Sequence, residues 1–297
     1  MKLAMVSQGP DGRPVPAIVT KSNHVVFLHE WMAEAPPSID AMVEDPSWLE
    51  KIQETHPESA PSQIRHSFDS VEWYAPVSLK RNVLCVGKNY REHIEEGARA
   101  GDPVQASLEV PIIFTKATTS LNHHRGTVTA WNVTEALDYE AELGVVLGRG
   151  GRHISPDNSE DYIFGYTLIN DFTARDLQNR HRQWFMGKSL DTYCPMGPVI
   201  VTRDEIEWPV TLNLVLTVNG EVRQNLNTRD MVFDIPTVIA SLSETMTLLP
   251  GDVLATGTGA GCGFGFSPPK FLRAGDEVIV RCDPIGELIN IIEEESQ

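Results

Sequence analysis

Residues 138–147 read Asp-Tyr-Glu-Ala-Glu-Leu-Gly-Val-Val-Leu, and the alternation of apolar and polar positions predicts a strand. Tyr139, Ala141, Leu143, Val145 and Leu147 fall on one face, and Glu140 and Glu142 on the other. A second apolar run, 162–170, predicts another strand and ends at Asp171. Shorter strands are predicted at 2–7, 16–20, 24–28, 83–87, 111–116, 198–202, 211–218, 277–282 and 287–292. Asn219-Gly220, between Leu216-Thr217-Val218 and Glu221-Val222-Arg223, is a two-residue hairpin signal. Residues 31–60 read as helical, with Trp31, Trp48, Leu49 and Ile52 toward a core and Pro36, Pro37 and Pro46 as breaks. Pro236 opens a further helix. The polar stretch 57–70 reads as a linker. The pattern supports a β-rich α+β chain, divided near residues 73–76 into a small N-terminal α/β domain (1–75) and a larger second domain (76–297).

Composition narrows the classes. The net charge of −17 argues against nucleic acid as a partner, because phosphate binding needs clustered Lys and Arg. No apolar run reaches the ~20 residues that span a bilayer, and the N-terminus lacks the apolar core of a signal peptide. The four cysteines, Cys85, Cys194, Cys262 and Cys282, are scattered; this points to a reducing cytoplasm and argues against metal binding by thiolates.

Two carboxylates on one strand face repel unless a cation or proton lies between them. With Asp171, Glu140 and Glu142 would suit one Mg²⁺ or Mn²⁺. The competing reading places both glutamates on the solvent side of a half-buried strand. A short helix after Asp171 would put Asp171, Arg175 and Gln178 on one face. On a helical turn His93 and Glu96 would be neighbours, the carboxylate orienting the imidazole as a general base. Candidate cations for an anionic substrate are Lys88, Arg91, Lys116, Arg175 and Lys188. The glycine-rich run 256–265 lacks phosphate-loop spacing and is either a plain turn or one that contacts substrate. His123 and His124 would face opposite ways on a strand. Ser189 sits in no nucleophile elbow, and Glu293, Glu294 and Glu295 read as a solvated end.

Five segments resemble the fumarylacetoacetate hydrolase family, in particular its acylpyruvate-hydrolase branch. They are 85–93, 138–144, 170–178, 187–195 and 250–259, in the family's order. Gly259 departs from the family's usual proline, and Cys262 from a Val-like position. The resemblance implies a mixed β-roll or sandwich core and a metal-dependent hydrolase that cleaves a C–C bond of a 2,4-dioxo acid, such as fumarylpyruvate or maleylpyruvate. It implies Glu140, Glu142 and Asp171 as ligands of Mg²⁺ or Mn²⁺. His93 is then the base, with Glu96 as its orienter, and Lys188 stabilises an enolate. Arg91, Lys116, Arg175, Gln178 and Thr258 bind the small anionic 2-oxo acid. The same site would also suit an oxaloacetate-type decarboxylase, a 2-hydroxy-diene-dioate isomerase, or a binding module that holds 2-oxo acids without turnover. A homodimer formed through the second domain is implied, with no membrane association. Residues 90–110, with Gly97 and Gly101 as hinges, are expected to form a lid that carries the base.

Overall fold

The computed structural model describes residues 1–9, 12–101, 109–181 and 183–296. The N-terminal third holds strands β1 (Lys2–Ser7), β2 (Val15–Val19), β3 (His24–Phe27), β4 (His66–Ser67) and β5 (Glu72–Tyr74), with helices α1 (Leu28–Trp31), α2 (Ile39–Glu44) and α3 (Ser47–Glu54). Then come β6 (Val83–Gly87), α4 (Arg91–Arg99), β7 (Ile112–Lys116), β8 (Leu121–His123), β9 (Thr127–Ala130), β10 (Leu137–Asp138) and β11 (Ala141–Leu147). β12 (Ile163–Asn170), β13 (Thr173–Ala174), α5 (Arg175–His181), α6 (Phe185–Lys188) and β14 (Cys194–Thr202) follow. The chain ends with β15 (Asn213–Val218), β16 (Glu221–Asn227), α7 (Ile235–Thr245), β17 (Val253–Ala255), β18 (Glu277–Cys282) and β19 (Gly286–Glu294).

One sheet runs β4-β3-β2-β1-β14-β12-β11-β17-β6-β7, with β5 beside β1 and β8 beside β14. A second runs β16-β15-β18-β19-β9. The architecture is mixed and β-rich, as the alternation predicts. The join near residue 75 is no break in the sheet: β1 pairs antiparallel with β14 through Lys2↔Val201 and Leu3↔Ile200. The stretch read as a linker is built in, since β4 pairs with β3. Ile52 is fully buried, while Trp48 and Leu49 only flank its cluster. Asn219 (φ 50°) and Gly220 (φ 78°) both take left-handed backbone, the geometry that joins β15 to β16 in a tight hairpin. Asp234 caps α7 by accepting from the Thr237 N–H, one position ahead of the Pro-containing first turn.

β11 decides where the chemistry lies. It pairs with β12 on one side and β17 on the other, and every residue in it is buried. Leu143, Val145 and Leu147 pack into one apolar cluster and Val146 into another. A strand covered on both faces leaves its glutamates no solvent side.

Candidate active site and metal centre

Glu140 precedes β11 and Glu142 lies within it; they are 4% and 1% exposed, which excludes the solvent-facing reading. Asp171 follows β12, and its N–H donates to the Glu140 carbonyl at 2.9 Å. The three carboxylates offer ligand atoms within 4.8 Å of one another. Their surroundings differ. Burial works to raise Glu140, but Lys188 and Arg175 outweigh it and hold the carboxyl well below its ordinary range. Burial pushes Glu142 well above its range, and Asp171 and Glu140 add to the shift. Its Oε2 accepts the Gly257 N–H at 2.8 Å, and no cation of the described residues pairs with it. Lys188 Nζ lies 2.6 Å from both Glu140 Oε2 and Asp171 Oδ2. Burial disfavours that ammonium, yet Asp171 and Glu140 hold it protonated above its usual range.

A hard dication fits this donor set. Glu142 is a buried acid at close quarters with two others, and burial and those neighbours disfavour its charge more than the Lys188 ammonium and the Gly257 N–H favour it. Buried here are the carboxylates Glu96, Asp138, Glu140, Glu142 and Asp171, against the cations Lys88, Lys116, Arg175 and Lys188. A dication held by Glu140, Glu142 and Asp171 would add positive charge beside the cavity, which suits an anionic substrate.

The His93–Glu96 pair forms as the helical spacing predicts. Nδ1 lies 3.2 Å from Glu96 Oε2, and both side chains are buried. His93 shares a cavity with Glu140, Glu142, Arg175, Gln178, Lys188 and Thr258, walled by Phe114, Trp184 and Phe264. Gly87 makes room for the Trp184 ring, since a Cβ there would lie 2.1 Å from it. The part of the expected lid that carries the base is α4, already seated on the site; residues 102–108 lie outside the described residues.

Four expectations need correction. Arg91 is exposed and lines a separate surface groove with Tyr90, Arg229 and Asp230. It is two residues from His93, about 200° around the helix, so burying His93 turns it away. Lys116 is fully buried, but it braces Asp171 (2.6 Å to Oδ1) and the Phe172 carbonyl (3.0 Å) instead of lining the cavity. Asp171 is not on the helix of Arg175 and Gln178, because Thr173 and Ala174 pair with β10 before α5 starts. Thr258 lines the cavity, but its hydroxyl donates to the Ala141 carbonyl and accepts from Gln224 Nε2, both at 2.9 Å, so its proton is committed.

The glycine-rich run does something the sequence did not suggest. Its N–H groups go to the site's own carboxylates: Gly257 to Glu142, Gly261 to Glu96 Oε1 at 2.9 Å, and Gly263 to Asp138 Oδ1 at 2.6 Å. Gly257 and Gly261 have φ of 94° and 100°, which side-chain-bearing residues rarely adopt. At Gly265 a Cβ would lie 2.1 Å from Glu96 Oε1. Asp138 and Gln224 escaped the sequence reading. Asp138 Oδ2 accepts from Arg175 Nε at 2.8 Å, and Gln224 Oε1 accepts the Ala141 N–H at 2.8 Å. Burial in the first acidic strand marks Asp138; no local signal marks Gln224. His124 is a core residue: its Nδ1 accepts the Ile289 N–H, and it meets Trp73 edge-on. No helix among the described residues is long and apolar enough to cross a membrane.

The fumarylacetoacetate (FAA) hydrolase C-terminal family matches residues 82–293. The oxaloacetate tautomerase YisK of Bacillus subtilis (strain 168) is 45% identical over 268 residues, 89% of this chain and 86% of that one. The fumarylacetoacetate hydrolase of psychrophilic Exiguobacterium antarcticum superposes with a TM-score of 0.81 at 36% identity, covering 99% of this chain and all of its own. The maleylpyruvate hydrolase of Sphingobium sp. SYK-6, solved with manganese(II) and pyruvate, gives a TM-score of 0.79 at 28% identity over the full length of both. By family match, relatives and fold, the chain belongs to the fumarylacetoacetate hydrolase family of enzymes.

Proposed function

We propose that this protein is a divalent-metal-dependent enzyme that interconverts the keto and enol forms of a small 2-oxo diacid of the oxaloacetate type. One observation carries the reading: His93, paired with Glu96, lines the same cavity as Glu140 and Glu142, whose ligand atoms cluster with those of Asp171. Bound by Glu140, Glu142 and Asp171, Mg²⁺ or Mn²⁺ would supply Lewis acidity toward the substrate's carboxylate and 2-oxo oxygens. His93 donates through Nδ1 to Glu96, which leaves Nε2 to take a proton from C3 and return it. Lys188 sets an ammonium beside the carboxylates, where charge gathers on the enolate oxygen. Gln178 Oε1 is buried without a partner among the described residues, so its amide has bonding capacity left for a ligand. Arg175 Nη2 lies 2.6 Å from Glu140 Oε1 but out of line for a hydrogen bond, so it too can turn to a substrate carboxylate. Phe114, Trp184 and Phe264 keep bulk water away.

The tautomerase at 45% identity supports this reaction. A second reading, hydrolysis of an acylpyruvate, is supported by the neighbour solved with manganese and pyruvate. In it His93 would deprotonate a water that attacks C4, and the enolate would leave as pyruvate. Enol absorbance and pyruvate, followed with oxaloacetate and with maleylpyruvate, separate the two. Fast enol loss with total oxaloacetate conserved supports tautomerisation. Equal release of pyruvate and a second acid from maleylpyruvate supports hydrolysis. Pyruvate and CO₂ from oxaloacetate would make the reaction a decarboxylation. Binding without turnover of either compound would sink the proposal, and undiminished turnover after exhaustive chelation would remove the metal from it.

A further inference from the structure

We propose that His93, Glu96 and Cys262 form a second metal site, selective for a softer dication such as Zn²⁺ or Cd²⁺ and separate from the three-carboxylate cluster. His93 Nδ1 lies 3.2 Å from Glu96 Oε2 and 3.8 Å from Cys262 Sγ, and ligand atoms of all three fall within 4.8 Å of one another. A tetrahedral zinc ion bonds nitrogen and oxygen at about 2.0 Å and sulfur at about 2.3 Å, which makes the N···O edge about 3.3 Å and the N···S edge about 3.5 Å. The observed separations match those edges within a few tenths of an ångström.

The donors also sort the ions. The carboxylate cluster offers only oxygen, which suits Mg²⁺ and Mn²⁺, whereas the second cluster offers one nitrogen, one oxygen and one sulfur. Its parts are held in place. The Gly261 N–H binds Glu96 Oε1 at 2.9 Å and leaves Oε2 toward the histidine. Gln224 Nε2 lies 3.6 Å from the Cys262 sulfur. Burial and nearby carboxylates keep the thiol neutral, so ion capture expels its proton. The scattered cysteines argued against thiolate ligation because cysteine spacing along the chain records no contact with distant histidine or carboxylate donors. Here the partners come from a helix 169 positions away from Cys262.

An ion at Nδ1 replaces the proton that His93 shares with Glu96. The neutral ring then carries its remaining proton on Nε2, which becomes a donor and can no longer act as a base. A soft ion would therefore stop turnover without displacing Mg²⁺ or Mn²⁺ from the carboxylates. That consequence rests on the proposed role of His93; the metal site itself does not.

The test uses the full-length protein saturated with Mn²⁺ and titrated with Cd²⁺. Ultraviolet thiolate-to-cadmium charge transfer reports the second site, and the Mn²⁺ spin-resonance signal reports the first. We expect one equivalent of Cd²⁺ to raise the band with no release of Mn²⁺, and Zn²⁺ to compete for it. Cys262→Val should remove the band and weaken Cd²⁺ binding by more than about a hundredfold, since even outer partners of a metal site are worth ten- to a hundredfold. It should keep the Mn²⁺ signal, which also shows that the variant folds. Glu96→Gln should weaken Cd²⁺ binding in the same direction. No band, a band that survives in Cys262→Val, or one-for-one release of Mn²⁺ would overturn the site. A Cys262-dependent band with unchanged turnover would keep the site and remove His93 as the base.

Discussion

Glu142 is the residue most at odds with a metal-free protein. Its folded pKa is raised, so the stability it contributes is fully present below the ordinary carboxyl range and is lost as pH rises through the shifted value. The loss begins once the pH exceeds the ordinary carboxyl range, so the ion-free protein carries at least part of it at neutral pH. Glu142→Gln should therefore raise the thermal midpoint of chelated protein at neutral pH while abolishing Mg²⁺ or Mn²⁺ binding and turnover. Calorimetry with and without metal checks both halves, and a variant that still binds the ion tightly would refute the ligand assignment. His93→Ala should lower turnover by roughly two to four orders of magnitude, the usual worth of a positioned base, with little change in Mn²⁺ affinity. Loss of Mn²⁺ instead would mean that a ligand had been mistaken for a base.

At the scale of elements, the glycine-rich run sets where three carboxylates sit, and Gly265 is the position that tests it. A methyl group there presses on Glu96, so Gly265→Ala should cost turnover by pushing Glu96 off His93 while metal binding stays intact. Unchanged kinetics would show that Glu96 has room to move. His124 gives this part of the fold a pH dependence of its own. It lies between Trp73 and Phe68 on one side and β19 on the other, and burial lowers its pKa to about 3. A depressed folded pKa contributes stability that is present above the unfolded value of about 6.5 and is lost as pH falls toward 3. Acid unfolding should therefore steepen below neutrality, by a few kcal/mol at most at about 1.4 kcal/mol per unit, and His124→Gln should flatten that slope.

What could be read in the chain follows the same division. β6 and β18 fall where alternation put them, because local periodicity and turn residues act over a few positions. Glu140, Glu142, Asp171, His93 and Glu96 come together because strand and helix repeats fix side-chain direction. Arg91 was legible too, since the helical repeat that joined His93 to Glu96 turns it outward. Lys116, Gln224 and Cys262 depend on contacts between segments far apart in the chain, and no local pattern records those.

At the scale of the whole molecule, saturating Mn²⁺ should stabilise the chain by about 2.7 kcal/mol at a hundred times its dissociation constant, read as a rise in thermal midpoint. No rise would mean that the ion does not prefer the folded state. We also expect a homodimer, and light scattering that gives a monomer at micromolar concentration would refute it. The continuity of β1 with β14 bears on how the protein can be divided. The family match begins at residue 82, although likeness to the tautomerase reaches further toward the N-terminus, and residue 82 is where a cut would be made on the family match alone. Such a cut strips β14 of β1, one of its partners, and removes Leu3, Ile18, Leu28, Ile39, Met42 and Ile52 from the apolar cluster they share with Cys85, Ile169 and Ala255. A row of unpaired amides next to bare hydrocarbon recruits other chains. Residues 82–297 alone should collect in the insoluble fraction, and adding back residues 1–81 as a separate peptide should draw them into solution. The segment matched by the family is thus smaller than the sheet it is built into, because the opening third supplies β1 and much of the apolar cluster behind that sheet.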